Sequence, residues 1–164
     1  MTNIQRKALA IVLAASLPSL AACSKGAEAP AGEATTAATS AGLTVSNPRV
    51  VLAAVAGNPA AVYFDLSYSG APGVALAKVE VAGGGMTMIH DYAEQAGKKE
   101  MVMADTVALT EGTPVSFAPG GLHVMVMEPS DALKAGGMAK VTLTLSDGTA
   151  TTVEAPVRAA GEER

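Results

Sequence analysis

The sequence predicts an all-β fold, an antiparallel β-sandwich or barrel, and three observations lead there. Apolar and polar residues alternate with a period of two in many short segments. Clusters of Gly, Pro, Asn and Ser punctuate those segments at the close spacing that sandwiches and barrels need. No segment of the body of the chain sustains a 3.6-residue apolar period long enough to specify a helix.

The expected strands lie near 43–55, 60–68, 74–81, 86–92, 100–108, 113–117, 122–127, 139–146 and 149–157. Turn signals separate them at Gly57-Asn58-Pro59, Gly70-Ala71-Pro72-Gly73, Gly83-Gly84-Gly85, Pro119-Gly120-Gly121, Gly136-Gly137 and Asp147-Gly148. The last two strands form the clearest hairpin. Val141, Leu143 and Leu145 share a face, and Asp147-Gly148 carries the residue signature of a type I′ turn. "SDALKAG", residues 130–136, is expected to form a single helical turn capped by Ser130. No internal repeat is present.

Upstream of these strands the chain has a different character. Arg6 and Lys7 precede an apolar run from Ala8 to Leu17, too short to span a bilayer, and small residues lead to Cys23. This is the pattern of a secretory signal peptide, expected over 1–22. Its ending, Leu20-Ala21-Ala22-Cys23, resembles the lipobox of bacterial lipoproteins, and that resemblance implies lipidation of Cys23. Cys23 is the single cysteine, so the folded part has neither a disulfide nor a thiolate ligand.

Residues 24–42 are Ala, Gly, Ser, Thr, Pro, Glu and one Lys, with nothing large to bury. Together with Cys23 they make an expected tether over 23–42, reaching a few tens of ångström by flexible-chain statistics of roughly 5–6 Å × √n. The domain is expected over 43–158, followed by a polar tail at 159–164. Removing Arg6 and Lys7 from 11 basic and 15 acidic residues leaves nine against fifteen, a mature net charge of −6. With three tyrosines, two phenylalanines and no tryptophan there is no stacking platform, so nucleic acid is not an expected partner.

The chemistry is concentrated in one window. Six of the eight methionines and both histidines fall between residues 86 and 127. Strand alternation puts Met86, Met88 and His90 on one face of their strand, Met101 and Met103 on one face of the next, and His123, Met125 and Met127 on one face of a third. Leu122, Val124 and Val126 take the opposite face. Methionine specifies core packing poorly compared with leucine or isoleucine. Its thioether is a soft, neutral ligand that needs no deprotonation and matches Cu(I), and imidazole also suits copper. Unlike thiolates, thioethers are not lost to disulfides in an oxidising compartment.

His90, Met101, His123 and Met125 reproduce the spacing H-x10-M-x21-H-x-M. With "GTPVSFAPGGLHVMVMEPSDALKAGG" and "GNPAAVYFDLSYSG" around it, the segment 43–157 resembles the periplasmic copper chaperones called PCuAC. The resemblance implies a cupredoxin-like Greek-key sandwich. It also implies a Cu(I) ligand set of His90, Met101, His123 and Met125, and delivery of copper to the CuA-bearing subunit of cytochrome c oxidase or another copper-transfer protein. The stretch after His90, "DYAEQAGKKEMVMADT", is more polar than the family's and has Ala104 where an arginine is common. Met103 shares a face with Met101 and is an alternative ligand. Met88 and Met127 are possible additional ones.

Other functions fit less well. A blue-copper electron carrier needs a cysteine thiolate beside two histidines, and Cys23 sits at the anchor. A zinc hydrolase built on His90, His123 and Asp91 leaves the methionines without a purpose. A copper-buffering or resistance lipoprotein with the same site is the alternative that sequence does not separate from a chaperone. The expectation is a monomeric Cu(I) carrier in the periplasm, held to a membrane by its lipid anchor and without catalytic activity. Cu(II) would be taken through the histidines alone.

Overall fold

The computed structural model describes residues 37–162. The expected signal peptide, Cys23 and most of the expected tether lie outside the described residues. All regular secondary structure within them is strand. In chain order the strands are β1 Ala38–Ser40, β2 Leu43–Val51, β3 Ala60–Tyr68, β4 Ala75–Val81, β5 Thr87–Gln95, β6 Lys98–Met103, β7 Val107–Ala108, β8 Val115–Phe117, β9 His123–Val126, β10 Met138–Leu145 and β11 Ala150–Arg158.

Hydrogen bonding runs in the order β6-β5-β9-β3-β2-β11-β10-β4-β7, with β1 added to β2 and β8 to β3. The path doubles over on itself at β11, which is antiparallel to β10 and briefly parallel to β2 through Val157–Val50 and Arg158–Val51. The chain changes layer after β3, β4, β6, β7 and β9, as a Greek-key sandwich requires. Val45, Val62, Phe64 and Leu66 from one layer and Leu76, Val79, Val141, Leu143 and Val153 from the other meet in a single buried cluster. Phe64 and Phe117 stack at its centre with ring centroids 4.3 Å apart.

Period-two alternation produces this core directly. In β10 alternate residues from Ala139 to Leu145 are buried, and in β11 alternate residues from Thr151 to Val157 are buried. β2 departs from the rule at Asn47-Pro48, where the register to β3 shifts between Ser46 and Arg49 and Asn47 takes a φ of 52°. Pro48 has no N–H to give the ladder, so an interruption there costs little.

Four local expectations change. The expected tether ends early, because Ala38–Ser40 pairs with Leu43–Val45 as β1. The segment 100–108 breaks into β6 and β7. Residues 130–136 form turns without a helix, since Leu133 N–H donates to the Ser130 carbonyl at 3.0 Å and the chain does not continue helically. At Asp147-Gly148 only Gly148 has a positive φ, 86°, which excludes type I′. The four residues between the strands, 146–149, are closed by Gly148 N–H to the Leu145 carbonyl (3.0 Å) and by the Asp147 carboxylate accepting from Thr149 N–H (2.8 Å).

The glycine run before β5 has a packing role. A Cβ on Gly84 would collide with the Val126 side chain, and one on Gly85 would lie 2.8 Å from the Met127 carbonyl oxygen. Only residues without side chains let the β4–β5 turn settle against the end of β9.

Candidate metal centre

β5, β6 and β9 form one side of the first layer and bring the methionine–histidine window together. On β5–β9 the pairs are Met88–Met125, Ile89–Val124 and His90–His123. On β5–β6 they are His90–Met103 and Tyr92–Met101. Ile89, Val124 and Val126 are buried in the core, so the residues alternating with them face outward. One outer face therefore carries Met88, His90, Tyr92, Met101, Met103, His123 and Met125.

Four of these touch or stack. His90 Nδ1 lies 3.1 Å from Met101 Sδ, close enough for both to reach one small ion. The His90 and His123 rings meet edge to face, with centroids 5.7 Å apart. His123 Nδ1 is 2.8 Å from the Gly121 carbonyl oxygen. A carbonyl only accepts, so Nδ1 carries the proton and the Nε2 lone pair remains available to a metal.

His123 is 7% exposed, whereas Met101 and Met103 are 48% and 63% exposed. The site is thus an imidazole floor under open thioethers. Burial, and secondly the neighbouring His123 imidazole, holds His90 below the ordinary histidine value. A lowered value favours the neutral form of His90, the form that binds metal.

Tyr92 and Lys99 were not singled out by sequence. Tyr92 tilts against His123 at a centroid distance of 5.8 Å. Lys99 Nζ sits 4.8 Å from the Tyr92 ring centroid and donates to the Gly120 carbonyl at 2.6 Å. Lys99 thereby ties the loop that orients His123 to β6. Tyr92 was recoverable from its place two residues after His90, whereas Lys99 was not, because its partner lies 21 residues away.

The candidate donor set is two imidazoles and several thioethers. Among the described residues no group of three or more His, Cys, Asp and Glu is placed to hold a metal. Asp91 alternates away from His90 and accepts a hydrogen bond from Tyr92 N–H at 2.7 Å, so it completes no zinc triad with the histidines. A set of this kind favours a soft monovalent ion over a hard or borderline divalent one.

The sequence profile of the LpqE-like lipoproteins matches residues 43–157. The chain belongs to the LpqE-like family. A relative from Leifsonia xyli subsp. xyli (strain CTCB07), named "Putative lipoprotein Lxx21020", is 34% identical over 71 residues, a match that covers 43% of each chain. The chain thus spans less than half the length of that relative. Among solved structures, this LpqE-like chain is similar to the copper-bound PCuAC domain from PmoF2, with a TM-score of 0.63 and 22% identity over 75% of this chain and 97% of that one. It is also similar to Cu(I)-bound DR1885 from Deinococcus radiodurans, with a TM-score of 0.58 and 22% identity over 72% and 79% of the two chains. Apo-DR1885 gives a TM-score of 0.57 at 23% identity, over 95% and 100%. The LpqE-like chain therefore has the PCuAC fold, as its motif led one to expect.

Proposed function

We propose that this LpqE-like protein is a periplasmic, lipid-anchored Cu(I) chaperone that holds one ion through His90, Met101, His123 and Met125 and delivers it to the CuA-bearing subunit of cytochrome c oxidase. The observation that carries the reading is the contact of His90 Nδ1 with Met101 Sδ at 3.1 Å, beside a His123 whose Nε2 is left available by the Gly121 carbonyl. Met125 follows two residues after His123 on the same face and lies opposite Met88, which supports it as the fourth ligand. Its PCuAC fold supports the reading, since two solved domains of that fold are described as copper-bound.

Chemically, thioethers and neutral imidazoles bind Cu(I) without giving up a ligand proton. The buried imidazole floor positions the ion. The exposed thioethers form the side from which a partner's ligands can replace them one at a time, so transfer never passes through a bare ion. The Gly121 carbonyl holds His123 in its metal-binding tautomer, and Lys99 anchors the same loop at the Gly120 carbonyl. Membrane attachment would come from lipidated Cys23.

The test has two arms. Under anaerobic competition the chain should bind one Cu(I) tightly at this site, with Zn(II) failing to displace it; equal or tighter zinc binding overturns the copper assignment. Mixed with the apo CuA-bearing domain, the loaded chain should pass its copper on. Retention of copper under those conditions removes delivery to CuA and leaves the buffering reading.

A further inference from the structure

The outer face does not end at the histidines. Met88 lies opposite Met125, and one step further, just past the paired ends of β5 and β9, Met127 N–H donates to the Met86 carbonyl at 2.8 Å, which brings Met86 and Met127 opposite one another. The Thr87 hydroxyl donates to the Val79 carbonyl of β4. Residue 87 thus faces inward, and its neighbours Met86 and Met88 face outward. The result is a ladder of two methionine pairs that continues directly from the His90–His123 pair.

Packing does not account for this ladder. Met86 is 70% exposed, and valine or threonine would suit an exposed strand position better. An exposed thioether is also open to oxidation to the sulfoxide. At the far end Glu128 takes a φ of 47°, and its carboxylate lies 3.5 Å from where a Cβ on Gly85 would be. Four thioethers without a carboxylate cage suit a soft cation and not a hard one.

We infer that Met86, Met88, Met125 and Met127 form a second site for a soft monovalent cation, sharing Met125 with the histidine site and serving as the route by which Cu(I) enters or leaves it. Opposed residues of an antiparallel pair have Cβ atoms about 4.5–5.5 Å apart, and a thioether on each side spans that gap with an ion between. The ladder has no imidazole, so it binds more weakly than the inner site and passes the ion inward through Met125. The inference rests on the proposed function for the identity of the metal, not for the existence of the ladder.

The test uses the full chain labelled at its methionine ε-methyl groups, titrated anaerobically with Cu(I) and followed by NMR. The first equivalent should shift Met101 and Met125, and the second should shift Met86, Met88 and Met127. Met138, 56% exposed on β10, should stay still throughout. Met86→Leu with Met127→Leu should abolish the second event and keep the first. His90→Ala with His123→Ala should abolish the first and keep binding at the ladder. Saturation at one equivalent with Met86, Met88 and Met127 unmoved overturns the inference, as does a second event that survives the double leucine variant or moves Met138 equally. A ladder that binds in a wild type whose histidine site does not respond sustains the inference and rejects the proposed function instead.

Discussion

His90 stands opposite Met103 in the β5–β6 register, yet its Nδ1 contacts the sulfur of Met101, the diagonal neighbour, at 3.1 Å. Strand pairing and ligand pairing are therefore offset by one repeat. The long, unbranched methionine side chain makes that possible, since diagonal positions lie about 7–8 Å apart, within reach of long side chains.

From this offset, Met101→Leu is expected to weaken Cu(I) binding by more than about tenfold, or 1.4 kcal/mol, while Met103→Leu changes it little. Both swaps preserve volume on an exposed face, so folding should be unaffected. Anaerobic competition titrations of the two variants check this. The opposite ranking would move the third ligand to Met103.

Acid should weaken binding by a route with a definite sign. His90 is held below the ordinary imidazole value by burial and then by His123, so protons compete with copper for His90 only below about pH 6.5. The contribution of His90 to affinity should be flat from pH 8 to near 6.5 and fall as the pH drops through the lowered value. The apo domain should follow the same window. Its stability is unaffected by His90 above about pH 6.5, and falls below it because the unfolded chain binds the proton more readily. A copper affinity that stays constant to pH 5 would remove the imidazoles from the site.

Gly84→Ala should destabilise the domain without touching a ligand. The new Cβ meets the Val126 side chain, which is fully buried, and overpacking of this kind costs about 1–3 kcal/mol. Urea unfolding of the apo protein measures it. Copper affinity should fall less than stability unless β5 shifts along β9.

Cys23→Ser is expected to release the protein from the membrane fraction while leaving Cu(I) affinity unchanged. Fractionation and titration of the same variant check both halves. A loss of copper binding would mean that the thiol is a ligand.

Much of this protein was legible in its residues because alternation is a local property. Val141, Leu143 and Leu145 announce one buried face of β10, and the same period of two puts His123, Met125 and Met127 on one side and Val124 and Val126 on the other. The chemical character of the candidate ligands was legible too, since thioether and imidazole keep their softness and charge wherever they sit. What required the folded chain was every relationship between strands. β5 and β9 are joined by more than 20 residues of chain, and their register is decided by which apolar rows meet in the core. That register sets His90 against His123 and extends the methionines into a ladder. The tautomer of His123 depends on the Gly121 carbonyl, and the loop that presents it depends on Lys99. Sequence specified the donors and the faces they occupy, because those follow from side-chain type and backbone period. Tertiary packing decided which donors meet, because that depends on how separate strands share one core.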